Sequence, residues 1–212
     1  MKTDDLVNVL VADLPITTPR FSRTLTRALI FGALIAALVF VLGVHMRPDF
    51  AAAIETPRVW LKFAFGLSLL IASFKLTQRL ASPGEPIGFW GMALLGAPLM
   101  LALGVAAEMW LTPESSWKMR LIGANARFCL LFIPMLATAP LACLLFALRQ
   151  GAPTNPGLAG AVAGLLAGAV AATLYALHCP DDSPFFLATW YSLAIVIVSA
   201  SGYGVGSRML RW

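Results

Sequence analysis

The sequence predicts an all-α integral membrane protein, a bundle of six transmembrane helices with both termini in the cytoplasm. Two observations carry this expectation. Of the 212 residues, 59% are hydrophobic and 12% charged, with a mean hydropathy of +0.83. Ordinary soluble domains are roughly 45–50% apolar and about 25% charged, and charged side chains are what cover a soluble surface. The composition therefore argues against a soluble enzyme. The apolar residues also fall in six runs, each reaching or approaching the ~17–25 residues that a bilayer helix requires. Barrel strands would alternate in polarity instead. Six spans of about 20 residues use a little over half the chain, leaving short loops, one longer tail and no room for a separate globular domain.

In chain order, residues 1–27 form a cytoplasmic segment and residues 28–212 the membrane domain. The start, MKTDDLVNVL, carries Asp4 and Asp5 and lacks the layout of a signal peptide. Thr3 can cap a helix whose first turn holds the two aspartates. Leu6, Val7, Leu10, Val11 and Leu14 then fall on one apolar stripe, with Asp13 near its close and Pro15 as its stop. Residues 1–14 carry one positive and three negative charges. An acidic amphipathic helix suits a basic groove on a partner protein better than an anionic lipid surface; packing against the bundle's own cytoplasmic face is the alternative.

The six spans are expected at about 28–44, 59–76, 88–111, 126–148, 157–177 and 185–206. Arg20, Arg23 and Arg27 precede the first, and Lys62 and Lys75 lie near the two ends of the second. The third contains Glu108 as its only charge. Pro98, Pro134 and Pro140 predict kinks in the third and fourth. Gly160, Gly164 and Gly168 in the fifth, with Gly202 and Gly206 in the sixth, form small-residue stripes suited to close helix packing.

An even number of spans returns the chain to its starting side. With the termini inside, the inner set of cations is Lys2, Arg20, Arg23, Arg27, Lys75, Arg79, Arg149, Arg208 and Arg211. The outer set is Arg47, Arg58, Lys62, Lys118, Arg120 and Arg127. The excess inside, led by the cluster before the first span, favours cytoplasmic termini. Basic residues at span ends are anchors, so the net charge of +5 does not point to direct nucleic-acid binding.

Buried charges are functional candidates in a bilayer. Lys62 and Glu108 lie at similar depth near the outer ends of neighbouring antiparallel spans, which suggests an ion pair, with snorkelling to the interface as the simpler alternative. No ionisable residue falls at a span midplane, where a carrier would need one.

The three cysteines are Cys129, Cys143 and Cys179. Cys129 falls at the outer end of the fourth span and Cys179 in the outer loop LHCPDDSP. Cys143 lies about 21 Å deeper along the fourth helix. Beside Cys179 stand His178, Asp181 and Asp182, a mixture of potential ligands for an unspecified metal. The outer pair reads as a structural disulfide, a reversible redox or thiophilic-metal sensor, or unrelated small residues. No catalytic constellation or nucleotide-binding loop occurs, so no enzyme activity and no cofactor are expected.

The residues MKTDDLVNVLVADLP, the MRPDF after the first span, RQGAPTNPGLAGAVAGLLAGAVAATLYALHCPDDSPFFLATWY and the terminal LRW together resemble the NrsF family. These are six-span anti-sigma factors of the bacterial inner membrane, negative regulators of an extracytoplasmic-function (ECF) sigma factor. The resemblance covers the whole chain and is most specific around LHCPDDSP. It implies that the N-terminal segment, with Asp4, Asp5, Leu6, Leu10 and Asp13, helps hold the sigma factor. It also implies that Cys129 and Cys179 take part in the response to metal or oxidative stress. Cys143 matches no family motif. The alternative from another class is a small metal or solute transporter with the outer thiols at its entrance.

Overall fold

The computed structural model describes residues 18–82 and 87–211. These residues are helical with no strand among them, and six helices are long and apolar enough to cross a membrane. The expectation of an all-α chain with six membrane-spanning helices is met. The acidic helix expected near the N-terminus, with Asp4, Asp5, Leu6, Leu10 and Asp13, lies outside the described residues.

The first span, Phe21–Val44, belongs to a helix that starts at Thr18 and passes through residue 27 without a break. Its last turn, Phe40–Val44, widens to the π geometry. The second span, Pro57–Leu80, opens with proline, whose missing N–H costs nothing at a helix start. Both helices outrun their apolar cores because long basic side chains at helix ends reach the headgroups. The third span, Gly88–Leu111, is divided into Gly88–Ala93 and Gly96–Leu111. The bend expected at Pro98 appears as this break, which leaves Pro98 in the first turn of the second piece, where proline is tolerated.

In the fourth span the long helix runs Ala126–Leu148 with Pro134 and Pro140 inside it. Pro140 is where the first span docks: a Cβ on Gly32 would fall 2.6 Å from the Pro140 Cα. The fifth span, Pro156–Tyr175, is capped by Asn155, whose side-chain oxygen accepts from the Leu158 N–H at 3.0 Å. The sixth, Pro184–Met209, passes through a π turn at Leu187–Tyr191 before its long helix Ser192–Met209.

The fifth span is the axis of the bundle. In its most apolar stretch 72% is buried, against 11% for the third span. Its most extensive packing is on the sixth, through the glycine stripes. A Cβ on Gly160 would land on the Gly202 carbonyl, and one on Gly206 would lie 2.7 Å from the Gly160 Cα. The glycines thus bring two backbones into contact, as expected of small-residue stripes.

The loops separate onto two faces. At one face Ala152 N–H donates to the Ala81 carbonyl, joining the second and fourth loops where the chain enters the first span. At the opposite face Arg47 N–H donates to the Leu177 carbonyl, joining the first and fifth loops. The candidate site lies on this second face, away from the termini.

Candidate functional site

Two cysteines meet under the loops of the face opposite the termini. The fourth helix presents Cys129 in its first turn. The chain leaving the fifth helix turns back so that Cys179 N–H still bonds to the Tyr175 carbonyl at 3.0 Å. The two sulfurs stand 4.0 Å apart, both thiols are free, and both residues are 0% exposed. A disulfide needs about 2.05 Å, so the pair is adjacent and unbridged. Cys143, much further along the fourth helix, is not part of the cluster.

Aromatic rings wall the pair. Tyr175 and Tyr191 lie 5.9 Å apart between centroids, and Phe132 stands 6.0 Å from Tyr175. The π turn Leu187–Tyr191 ends at Tyr191, and such turns shift side-chain register where a straight helix would not.

Above the sulfurs lies a clasp of charges. Lys62, 2% exposed, donates from Nζ to the Cys179 carbonyl at 2.9 Å and to Asp182 Oδ1 at 2.8 Å. Its ammonium also sits 5.4 Å from the centroid of the Tyr191 ring. Arg47 donates to Asp182 Oδ2 at 2.8 Å and forks onto both Asp49 oxygens at 2.7 Å. That fork, with Asp182 behind it, outweighs burial and holds Arg47 firmly cationic; Arg47 in turn draws the Asp49 carboxyl below its usual range. The Cys179 thiol is lowered chiefly by its hydrogen bond with Cys129 and further by the Lys62 charge, against the opposing effect of burial.

The expected Lys62–Glu108 pair gives way to two separate ones. Glu108, 4% exposed, accepts from Arg58 Nε and Nη2, both at 3.1 Å, and from Arg120 Nη1 at 2.7 Å. Arg58 lies one turn above Lys62 on the same helix face, and its longer reach takes Glu108. The fifth loop then folds over Lys62 and supplies Asp182. Equal depth on adjacent helices does not fix which way each side chain points.

Both aspartates after Cys179 are engaged by other groups, Asp182 by Lys62 and Arg47. Asp181 accepts from the N–H groups of Ala124 and Asn125 at 3.1 and 2.9 Å and from the Asn125 amide at 3.0 Å. The close approach requires Gly123, at φ +58°, where a Cβ would stand 2.9 Å from Asp181 Cγ and nearer still to the Phe186 ring. His178 places Nδ1 2.8 Å from the His45 carbonyl oxygen and packs its ring on Tyr175. Among the described residues no group of three or more His, Cys, Asp or Glu is arranged to hold a metal ion. A soft ion here would meet two sulfurs. In the sequence Arg47, Arg58 and Arg120 stand only as outer cations; their carboxylate partners appear in the fold. The adjacency of Arg47 to Pro48 and Asp49, and the paired aspartates after Cys179, were the available signals of a bound loop.

An open cavity of about 580 Å³ adjoins the clasp, lined by Arg58, Arg120, Gly123, Asp181, Asp182 and neighbours.

Comparison with known proteins identifies the family. The family described as "NrsF: Negative regulator of sigma F" matches residues 10–212. The chain belongs to the NrsF family. It is 36% identical over 214 residues to the "Probable anti-sigma-F factor NrsF" of Azospira oryzae, covering all of both chains. It is 39% identical over 217 residues to the "Anti-sigma-F factor NrsF" of Caulobacter vibrioides, again over both full lengths. No solved structure matches the chain. NrsF proteins are regulators rather than enzymes, and membership favours regulation over the transporter alternative.

Proposed function

We propose that this NrsF protein is an anti-sigma factor of the bacterial inner membrane. It sequesters an ECF sigma factor at its cytoplasmic face and releases it when Cys129 and Cys179 are oxidised or take up a thiophilic metal ion. The observation that carries the sensing half is the 4.0 Å approach of two free, solvent-shielded thiols from different helices. Support for the sequestering half comes from the anti-sigma relatives.

With the termini in the cytoplasm, the thiols lie toward the oxidising side of the membrane. Oxidation removes two protons and two electrons from the pair, passes them to a two-electron oxidant and joins the sulfurs. The fourth helix and the loop after the fifth must then close by about 2 Å. His178, bonded to the His45 carbonyl, carries that movement to the loop after the first span. The first helix runs from there toward the N-terminal segment, whose residues Asp4, Asp5, Leu6, Leu10 and Asp13 dock on the sigma factor. The stimulus acts only so far as it favours one bundle state over the other.

The test is co-purification of a sigma factor with the detergent-solubilised protein. Deletion of residues 2–14 abolishes capture, and the Cys129→Ser, Cys179→Ser protein captures normally but no longer releases on oxidant or cadmium. Undiminished capture after the deletion defeats the docking role; full release from the double variant defeats the sensor.

A further inference from the structure

A second polar cavity lies on the other face, at the end of the bundle where the chain enters the first span. It has a volume of about 260 Å³ and is lined by Phe21, Ser22, Lys75, Gln78, Arg79, Ser82 and Trp90. We propose that it binds the phosphate headgroup of an anionic phospholipid.

Four observations point to that ligand. Two cations one turn apart on the second helix, Lys75 and Arg79, line the cavity, and among the described residues that line it there is no carboxylate. Basic pockets between membrane helices at the interface are suited to acidic headgroups. Secondly, hydrogen-bonding groups that match phosphate oxygens surround the cations. Gln78 and Ser22 are already held to each other, the amide donating to the hydroxyl at 2.8 Å. The Ser22 and Ser82 side chains also line the cavity.

Thirdly, the backbone makes room for the guanidinium. Gly88 has φ +52°, and a Cβ there would fall 2.8 Å from Arg79 Nη1. Arg79 also has other interactions, so the exposed Lys75 is the cation on which the test turns. Finally, the wall beyond the cavity suits acyl chains. Trp90 borders it, while Phe89 and Met92 on the same helix are exposed and apolar, and the third span as a whole is the least buried of the six. Aromatic residues favour this headgroup depth. A lipid can place its phosphate on Lys75 and Arg79 and its chains along the third span. A soluble phosphate would use only the first half of that surface.

The full chain in zwitterionic micelles, titrated with phosphatidylglycerol and followed by thermal unfolding and native mass spectrometry, tests the assignment. The expected result is retention of phosphatidylglycerol over phosphatidylcholine. Affinity falls about fivefold in Lys75→Gln, is kept in Lys75→Arg and is unchanged in Arg208→Gln, an exposed cation on the same face but outside the cavity. Arg79→Gln is expected to lose still more; should it fail to fold, Lys75→Gln decides. An equal loss from Arg208→Gln, or no loss from Lys75→Gln, overturns the site. Equal protection by inorganic phosphate at the same concentration overturns the lipid assignment.

Discussion

Lys62 shows how a single residue can bind several elements at once. Its ammonium holds a carbonyl, a carboxylate and an aromatic face from the fifth loop and sixth span. Removing one partner of a buried ion pair leaves the other uncompensated, at a cost of about 3–5 kcal/mol. Arg47 still holds Asp182, so Lys62→Met is expected at the lower end, near 3 kcal/mol, in denaturant unfolding of the solubilised protein. Cys179 carries a second expectation at this scale. Its lowered thiol means that the thiolate is reached at a lower pH in the folded chain than in the unfolded one. Reaction with a small thiol reagent should therefore accelerate below the pH range of an ordinary cysteine, and Lys62→Gln should move that midpoint upward. The thiolate form also favours the folded state, an advantage gained as pH rises through the lowered value and lost as it falls.

At the scale of elements, the fifth and sixth helices touch through glycines, and the contact is selective. A Cβ on Gly202 would fall on the Gly160 carbonyl, whereas one on Gly204 meets nothing within 4 Å. Gly202→Ala should cost about 1–3 kcal/mol through overpacking of backbone against backbone. Gly204→Ala should be neutral or slightly stabilising, since alanine is the better helix former; melting curves of the two variants make the comparison. The six spans were legible in the sequence because hydropathy reports depth directly. Gly160, Gly164 and Gly202 were legible as packing residues for another reason, because the four-residue spacing of the glycines in each span matches one helix face. The partners of Lys62 and Glu108 were not. They depend on how each helix is turned about its axis and on a loop that folds inward, and neither leaves a periodic trace. Cys129 and Cys179 fall between these cases. Depth placed them on one face, but only the turn after Tyr175 brings their sulfurs together.

For the whole molecule, three loops on the face opposite the termini are tied to one another, and the fifth is common to all the ties. It joins the first loop through Arg47 and the third through Asp181. A change at the thiols is therefore felt across the face. Oxidative bridging of Cys129 and Cys179 should raise the unfolding temperature and alter protease cleavage of the loop at residues 149–155 on the far side. An unchanged cleavage pattern would mean that the bridge stays local. The tie between Lys62 and Asp182 also has a consequence for how the protein is made. The acid that seals the ammonium is synthesised 120 residues after it. The second span is therefore synthesised before the acid that seals its ammonium exists. Only when the final hairpin arrives can that lysine be drawn inside, so the face closes last, as a late step of assembly rather than a property of the early spans.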